Sequence, residues 1–192
     1  MGLFDKLAFS LGLKKREANI LVVGLDNAGK STVLNHFKPE DQRTSDVVPT
    51  VGYNVEKFKT KSVGLTAFDM SGQARYRNLW EAYYQDCQGI IFVVDSSERL
   101  RLVVAKEELD IMLEHPLIKP RRLPILFLAN KMDLRDAISS VKVSAALGLD
   151  RLTDKPWHIT ACNAVTGDGL HEGIDWLSQM IKDAVDKNAQ KL

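Results

Sequence analysis

The residues from Gly24 to Ser31 read GLDNAGKS, which matches the G-x-x-x-x-G-K-[ST] pattern of a phosphate-binding loop. Glycine at both ends lets the backbone turn tightly, so that successive amide N–H groups point at phosphate oxygens. A helix that begins near Gly29 adds its positive dipole end at the same place. We expect Lys30 to face the β- and γ-phosphates and Ser31 to bind Mg²⁺. The residues predicted here to contact nucleotide are Gly24, Leu25, Asp26, Asn27, Ala28, Gly29, Lys30, Ser31 and Thr32.

A second polar motif, Asn130-Lys131-Met132-Asp133, indicates which base is bound. A carboxylate only accepts hydrogen bonds, so Asp133 suits the two donors on the Watson–Crick edge of guanine, whereas adenine would present an unpaired ring nitrogen. Sites that demand such donors reject analogues by roughly 10⁴–10⁵. We expect Asn130 to tie this motif to the phosphate loop and the stem of Lys131 to cover the base. An ATP-using enzyme built on the same loop is the less favoured alternative.

Buried strands are predicted to carry both motifs. Continuous apolar runs are typical of strands covered on both faces, and they occur at Ile20–Val23, Ile90–Val94 and Ile125–Leu128, with a weaker run at Trp157–Thr160. Two alternating segments between Val51 and Asp69 predict an antiparallel hairpin. The second motif thus follows the carboxyl end of a strand, the end at which open α/β sheets bind ligands.

Helical patterns alternate with these strands. They cover Leu100–Glu114, Ser139–Leu147 and a C-terminal segment with apolar residues three or four apart, from Leu170 to Val185. Strands that alternate with helices predict parallel pairing through right-handed crossovers. The chain is therefore expected to form an α/β domain.

Composition excludes several classes of protein. The 192 residues carry a net charge of +1, which favours no nucleic-acid partner. The two cysteines, Cys87 and Cys162, are far apart in sequence, so neither a disulfide framework nor a zinc site is indicated, and a reducing compartment fits best. The apolar runs are far shorter than the ~20 residues of a membrane span.

The first residues predict contact with a membrane surface. On a helix, Leu3, Phe4, Leu7, Ala8 and Leu11 fall within a stripe of about 140°, and a basic triplet at 14–16 follows them. This pattern is typical of an interfacial helix on anionic lipid. We therefore divide the chain into residues 1–16, an amphipathic helix with a basic junction, and residues 17–192, the nucleotide-binding domain.

Taken together, the motifs resemble those of the Ras superfamily of small GTPases, and within it the ADP-ribosylation-factor-like family. The resemblance spans nearly the whole chain, in family order, through residues 24–31, Pro49-Thr50-Val51-Gly52, Asp69-Met70-Ser71-Gly72-Gln73, residues 130–133 and Asn163-Ala164-Val165. It implies the P-loop NTPase fold of small GTPases. That fold is a six-stranded, mostly parallel sheet with one antiparallel edge strand, flanked by helices, with an N-terminal amphipathic helix.

The resemblance also implies roles for further residues. Thr50 would join Ser31 on Mg²⁺ and contact the γ-phosphate, and Asp69 would hold the metal through water. The Gly72 amide would meet the γ-phosphate, and the Ala164 amide would meet the guanine carbonyl. The implied cofactors are GTP or GDP and Mg²⁺.

Gln73 is the residue expected to position the attacking water. Related heterotrimeric-type GTPases carry an arginine three residues before the loop threonine, where this chain has Val47. We therefore expect slow hydrolysis that a partner's arginine accelerates. Arg75 and Arg77 are expected to be solvated or to face an effector.

The function implied is a GTP-dependent switch that recruits effectors to membranes. Residues 69–80 and 103–109 most resemble the ciliary branch of the family associated with Bardet–Biedl syndrome. This implies a monomer that acts in the cytoplasm and on peripheral membranes of the cilium or its base, with a trafficking coat as effector and with an exchange factor and a GTPase-activating protein. The helix would dock on its own domain with GDP and be released when the hairpin shifts register. The alternative is a membrane adaptor that binds guanine nucleotide with negligible hydrolysis.

Overall fold

A six-stranded sheet lies at the centre of residues 16–189, the part of the chain that the computed structural model describes. Its spatial order is β2-β3-β1-β4-β5-β6. The strands are β1 (Arg16–Val23), β2 (Tyr53–Lys59), β3 (Val63–Met70), β4 (Gly89–Asp95), β5 (Ile125–Asn130) and β6 (Trp157–Ala161). β2 pairs with β3 in antiparallel fashion and the other neighbours pair in parallel. The predicted fold class is confirmed.

Helices cover both faces of this sheet. They are α1 (Lys30–His36), α2 (Arg101–Glu114), α3 (Ser140–Leu147) and α4 (Leu170–Ala189), with 3₁₀ helices at Glu40–Gln42, Ala74–Tyr83 and Leu149–Arg151. The predicted helical segments agree with α2, α3 and α4 to within a residue at the starts. Ser139 is the N-cap of α3, because its side chain accepts the Lys142 N–H, and Gly148 ends that helix at φ +69°.

Residues of the central strands alternate between two apolar layers. Leu21, Phe92 and Phe127 pack on the layer that holds α2 and α3, whereas Ile20 and Ile91 belong to the layer with α1 and α4. Burial on both faces explains why these strands are apolar throughout. Full burial of each such side chain contributes roughly 1.5–3 kcal/mol, so the sheet is a rigid support for the loops at its ends.

β1 begins four residues before the apolar run that predicted it. Residues 16–19 are paired in register with residues 63–66 of β3, so the backbone continues as a strand although Glu17 is exposed. Arg16, predicted as the end of the basic junction, is the first residue of β1. The predicted amphipathic helix at residues 2–13 lies outside the described residues. Within 16–189, no helix is both long enough and apolar enough to cross a bilayer.

A buried lysine fixes the segment that leads from α2 into β5. The Lys155 side chain is 1% exposed, and its Nζ donates to the carbonyls of Ile118, Lys119 and Arg121 at 3.2, 3.0 and 2.9 Å. It also donates to Asp154 Oδ2 at 3.0 Å. This buried side chain holds its segment firmly, because the carbonyls of Lys119 and Arg121 would otherwise lose this donor.

Lys155→Met is expected to lower the free energy of unfolding by about 2–4 kcal/mol, because it leaves the carbonyls of Lys119 and Arg121 without this donor, while the Ile118 carbonyl keeps the Arg121 N–H. The matched control is Lys106→Met, since Lys106 is 40% exposed and pairs with Asp110 one turn along α2. That change should cost less than about 0.5 kcal/mol. Urea denaturation followed by circular dichroism measures both, and equal losses would contradict the assignment.

Candidate nucleotide-binding site

The phosphate loop lies directly against neighbouring strands between β1 and α1. Gly24 has φ +136° and Gly29 has φ +95°. A Cβ at Gly24 would overlap the Val93 carbonyl oxygen of β4, and one at Gly29 would overlap Asn130 Nδ2. Both positions therefore require glycine, for their backbone angle and for the close approach. The two glycines of the motif explain how the loop folds tightly onto β4 and β5.

This loop borders an open cavity of about 310 Å³. The lining residues include nine of the predicted site residues, namely Asp26, Asn27, Gly29, Lys30, Ser31, Thr32, Thr50, Gly72 and Gln73. Val47, Val48, Pro49 and Ser71 also line it. Leu25 and Ala28 contribute backbone to the loop while their side chains are buried, at 5% and 1% exposure. Segments from three parts of the chain thus meet around one space.

Lys30, the first residue of α1, brings a buried positive charge to the cavity. The residue is 6% exposed, and its Nζ donates to the Leu25 carbonyl at 2.8 Å. Burial lowers the pKa of Lys30 to about 8, although Asp69 and Asp26 act in the opposite direction. A phosphate group would stabilise the charged form of this lysine, since the protein compensates the charge only in part.

Two hydroxyl groups that line the cavity meet one buried carboxylate. Ser31 Oγ donates to Asp69 Oδ2 at 2.6 Å and lies 2.9 Å from Thr50 Oγ1. Thr50 Oγ1 donates to the same carboxylate oxygen at 3.3 Å. Asp69 is 2% exposed. Burial raises its pKa above the usual range, and the bond from Ser31 opposes that shift.

This group of oxygens fits a divalent cation. The second oxygen of Asp69, Oδ1, is buried and has no hydrogen-bond partner among residues 16–189. A buried carboxylate that is only half satisfied is costly unless a further cation or donor is bound. Hydroxyl and carboxylate oxygens are ligands that Mg²⁺ prefers. The residues present therefore fit the metal that the sequence predicts.

Asn130 joins the base motif to the phosphate loop, as expected. Its Nδ2 donates to the Ala28 carbonyl at 2.9 Å, and its Oδ1 accepts the Ala164 N–H at 2.9 Å. Asn130 is 2% exposed and ends β5. One side chain thus holds together three loops. Because the Ala164 N–H is engaged with Asn130, its contact with the guanine carbonyl stays a prediction.

Lys131 and Asp133 extend from the same edge of the sheet. Lys131 has φ +64°, and its Nζ lies 2.7 Å from Asp95 Oδ2 at the end of β4. This bond lays the side chain across the space between β4 and β5, while Asp133 is exposed. Sequence reasoning missed Asp95, although an acidic residue directly after an apolar strand was a usable signal.

Three long polar side chains, those of Gln73, Arg75 and Arg77, follow β3, and one of them differs from the expectation. Gln73 Oε1 accepts the Arg75 Nε at 3.1 Å at the edge of the cavity. Arg75 is exposed, as expected. The expectation that Arg77 is solvated or faces an effector is wrong. Its side chain is 13% exposed, and it donates to Glu108 Oε1 at 2.6 Å and to the Gly72 carbonyl at 2.9 Å. Its partner lies on α2, thirty-one residues away, so no local pattern indicated the contact.

A largely parallel sheet, a glycine-bounded loop before a helix and a second polar loop tied to it define a P-loop nucleotide-binding protein. The family described as "ADP-ribosylation factor family" matches residues 4–181. The chain belongs to the ADP-ribosylation factor family.

Individual relatives agree with this assignment. "ADP-ribosylation factor-like protein 6" of Danio rerio is 63% identical over 182 residues, which cover 95% of this chain and 98% of the relative. The protein of the same name from Caenorhabditis elegans is 45% identical over 181 residues, 94% of this chain and 95% of the relative. The solved structure of the Arl6 BBS3 small GTPase from Trypanosoma brucei, with the bound nucleotide analogue GppNp, superposes with a TM-score of 0.80. It is 41% identical and covers 87% of this chain and 98% of that one.

Family membership confirms the predicted class of activity. The protein is a small GTPase switch that binds GTP and GDP and hydrolyses GTP, and Mg²⁺ is the general cofactor of such enzymes. Exchange factors, GTPase-activating proteins and effectors are the general partners of this class.

Asn130→Asp is expected to speed nucleotide dissociation about tenfold or more, because aspartate loses the donor to Ala28 and directs a carboxylate at a carbonyl. Asn163→Asp is the matched control. Asn163 Oδ1 accepts the N–H groups of Val165 and Thr166, and aspartate keeps that ability. Release of a fluorescent GDP analogue measures both rates, and similar rates for the two variants would contradict the role given to Asn130.

Proposed function

We propose that this cavity binds Mg²⁺ and GTP, and that the γ-phosphate decides whether the protein recruits effectors to a ciliary membrane. The observation that carries the proposal is the convergence of Ser31, Thr50 and Asp69 on one point beside the phosphate loop. Ser31 and Asp69 lie on rigid elements, α1 and β3. Thr50 lies on an exposed loop outside any helix or strand. A ligand that holds all three therefore also fixes this loop.

Each part of the cavity has a distinct task in this proposal. The amides of residues 24–29 hold the α- and β-phosphates, and Lys30 faces the β- and γ-phosphates. Ser31 and Thr50 would hold Mg²⁺, with Asp69 acting through water, and the metal would supply positive charge that stabilises the phosphates. The Gly72 amide meets the γ-phosphate. After hydrolysis the loop of Thr50 loses its contacts and relaxes, as in other order–disorder switches.

Guanine recognition falls to the loops after β5 and β6. Asp133 accepts from the two Watson–Crick donors of guanine, and the stem of Lys131 covers the base. The Ala164 N–H, which donates to Asn130 Oδ1 in this structure, turns to the guanine carbonyl when the nucleotide binds. The bond from Asn130 Nδ2 to the Ala28 carbonyl supports this arrangement, because it places the base loop after β5 at a fixed distance from the phosphate loop. Such a site favours GTP over ATP.

The effector surface is proposed to lie beside the loop of Thr50. Val48, Val51, Tyr53 and Val55 are between 46% and 74% exposed, and they continue from this loop into the edge strand β2. Exposed apolar patches mark sites of protein contact. A patch that includes the loop contacted by the γ-phosphate is available in one nucleotide state and altered in the other.

The location of the switch is proposed from the sequence and its relatives. Residues 69–80 and 103–109 resemble the ciliary branch of the family, and the similar structure is of a protein named Arl6 BBS3. We infer a trafficking coat as effector, at the membrane of the cilium or its base. Residues 2–16 supply a weak membrane anchor, because Lys6 occupies the place where acylation of Gly2 requires Ser or Thr. The coat then adds affinity through a second contact.

Hydrolysis by the isolated protein is expected to be slow, no faster than about 10⁻³ s⁻¹, because Val47 stands where an internal arginine would act. Gln73→Leu should lower this rate further, since it removes the amide that positions water. Gln42→Leu, in an exposed 3₁₀ helix, is the matched control and should leave it unchanged. Single-turnover assays measure all three rates. A fast wild-type rate would refute the need for an arginine from a partner.

State-dependent membrane binding tests the switch itself. Full-length protein loaded with GDP or a non-hydrolysable GTP analogue is floated with anionic or neutral vesicles. We expect binding to anionic vesicles in the triphosphate state only, lost when residues 2–13 are removed. Thr50→Ala should also abolish the difference between nucleotides, because the exposed loop loses its link to the metal. The control Thr153→Ala, on an exposed loop, should retain it. Equal binding with both nucleotides would contradict the proposal.

A further inference from the structure

The turn between β3 and the following 3₁₀ helix is held by two side-chain N–H groups. Trp80 Nε1 donates to the Ser71 carbonyl at 3.0 Å. Arg77 Nε donates to the next carbonyl, that of Gly72, at 2.9 Å. The two peptide groups on either side of the Gly72 Cα are therefore each fixed by one donor.

This arrangement determines where the Gly72 amide points. A peptide group is planar and trans, so its N–H is directed opposite to its C=O. The Ser71 carbonyl faces the indole of Trp80, which is 2% exposed and packed in the apolar core. The Gly72 N–H belongs to the same peptide group and points away from that core. Gly72 itself lines the phosphate cavity.

Gly72 also lies very close to the phosphate loop. A Cβ on this residue would overlap the backbone of Leu25 and Asp26. The close approach places the turn against the loop that would hold the β-phosphate. A small rotation of the Ser71–Gly72 peptide group therefore changes whether its N–H reaches the γ-phosphate. Hydrogen bonds weaken steeply as their angle departs from linearity.

The donors that fix this turn are themselves anchored outside it. Arg77 is 13% exposed and pairs with Glu108 of α2 at 2.6 Å, and its Nη2 lies 3.8 Å from Asp26 Oδ1. One planar guanidinium thus contacts the turn, α2 and the phosphate loop at once, which lysine could not do with its single ammonium. The indole of Trp80 is held by the core. The two donors lie on the 3₁₀ helix that follows the turn, and they are anchored by α2 and by the apolar core.

We propose that Trp80 and Arg77 are positioning residues that aim the Gly72 amide at the γ-phosphate and so determine the preference of the protein for GTP over GDP. The proposal rests on the proposed function, in which that amide meets the γ-phosphate. GDP ends at the β-phosphate, so its contacts with the phosphate loop and with the base loops do not depend on the turn. Loss of either positioning residue therefore weakens the triphosphate selectively.

The test compares the affinities of GDP and of a non-hydrolysable GTP analogue for the full chain with Mg²⁺. Trp80→Phe keeps a large ring and deletes the donor to Ser71. Arg77→Lys keeps the positive charge and removes the planar guanidinium group that contacts the turn, α2 and the phosphate loop together. Each is expected to lower the ratio of triphosphate to diphosphate affinity about tenfold, the scale of one lost hydrogen bond to a charged group, with GDP affinity within about twofold of the original.

A matched control removes the same kind of bond elsewhere. Trp157 Nε1 donates to the Leu152 carbonyl at 3.0 Å, away from the cavity. Trp157→Phe should therefore leave the ratio unchanged, even if it lowers the melting temperature. If Trp80→Phe fails to fold, Arg77→Lys and Glu108→Gln decide, because Glu108→Gln weakens the anchor of Arg77 without touching the turn. A ratio unchanged in these variants, or equal weakening of both nucleotides, would overturn the proposal.

Gly72→Ala separates this proposal from the function on which it rests. The added methyl group overlaps the phosphate loop and keeps the turn away from the γ-phosphate. If this variant loses the preference for triphosphate while Trp80→Phe and Arg77→Lys retain it, the amide contact stands and the positioning role is wrong. If Gly72→Ala also keeps the preference, the proposed contact between the amide and the γ-phosphate itself fails.

Discussion

The close contact of the phosphate loop with the ends of β4 and β5 is the constraint on which the other parts of the site depend. Gly24 lies against the Val93 carbonyl and Gly29 against the amide of Asn130, with no room for a side chain at either position. Asn130 then reaches both Ala28 and the loop after β6. Phosphate and base loops are thereby held at a fixed separation by strands whose side chains are buried on both faces. A nucleotide that spans this distance needs little reorganisation of the rigid half of the site, so the cost of ordering falls on the loop of Thr50 and the turn at Gly72.

Among residues 16–189, Lys30 is the one cationic side chain that lines the cavity. Lys30 is buried, and its pKa is lowered to about 8 by that burial. The nearby guanidinium groups are engaged elsewhere, Arg77 with Glu108 at 2.6 Å and Arg101 with Asp26 at 2.6 Å. Because the protein's own carboxylates pair with these guanidinium groups, they are not available to stabilise the negative charge that develops during phosphoryl transfer. We therefore expect this GTPase to bind its nucleotide with internal charges and to depend on an external charge for its rate of hydrolysis.

Most features of the fold and the site were predicted from patterns within short, continuous segments of the sequence. The phosphate loop, the base motif and the strands are readable because each lies in a continuous segment whose residue types reflect a backbone requirement or burial on both faces. What the sequence did not reveal are contacts between distant segments. The pairing of Arg77 with Glu108, the bond from Trp80 to Ser71 and the three carbonyls around Lys155 follow from how elements pack. The start of β1 was missed for the same reason, because pairing with β3 and not hydrophobicity extends that strand to Arg16.

The energies of these contacts are sufficient for a switch. A ligand moves a two-state equilibrium only by the difference in its contacts with the two states, and about 5.5 kcal/mol converts a ratio of 1:99 into 99:1. Hydrogen bonds to charged groups contribute about 1.5–3 kcal/mol each. The γ-phosphate and its metal engage Thr50 and the Gly72 amide in the proposed state, two contacts that GDP does not make. Two bonds near the upper end of that range reach the required difference, but only if neither residue must first be ordered at large cost. Trp80 and Arg77 fix the peptide groups around Gly72 before the nucleotide binds, and this reduces the ordering cost. The small residues of the turn and the large residues that hold it therefore act together in the switch.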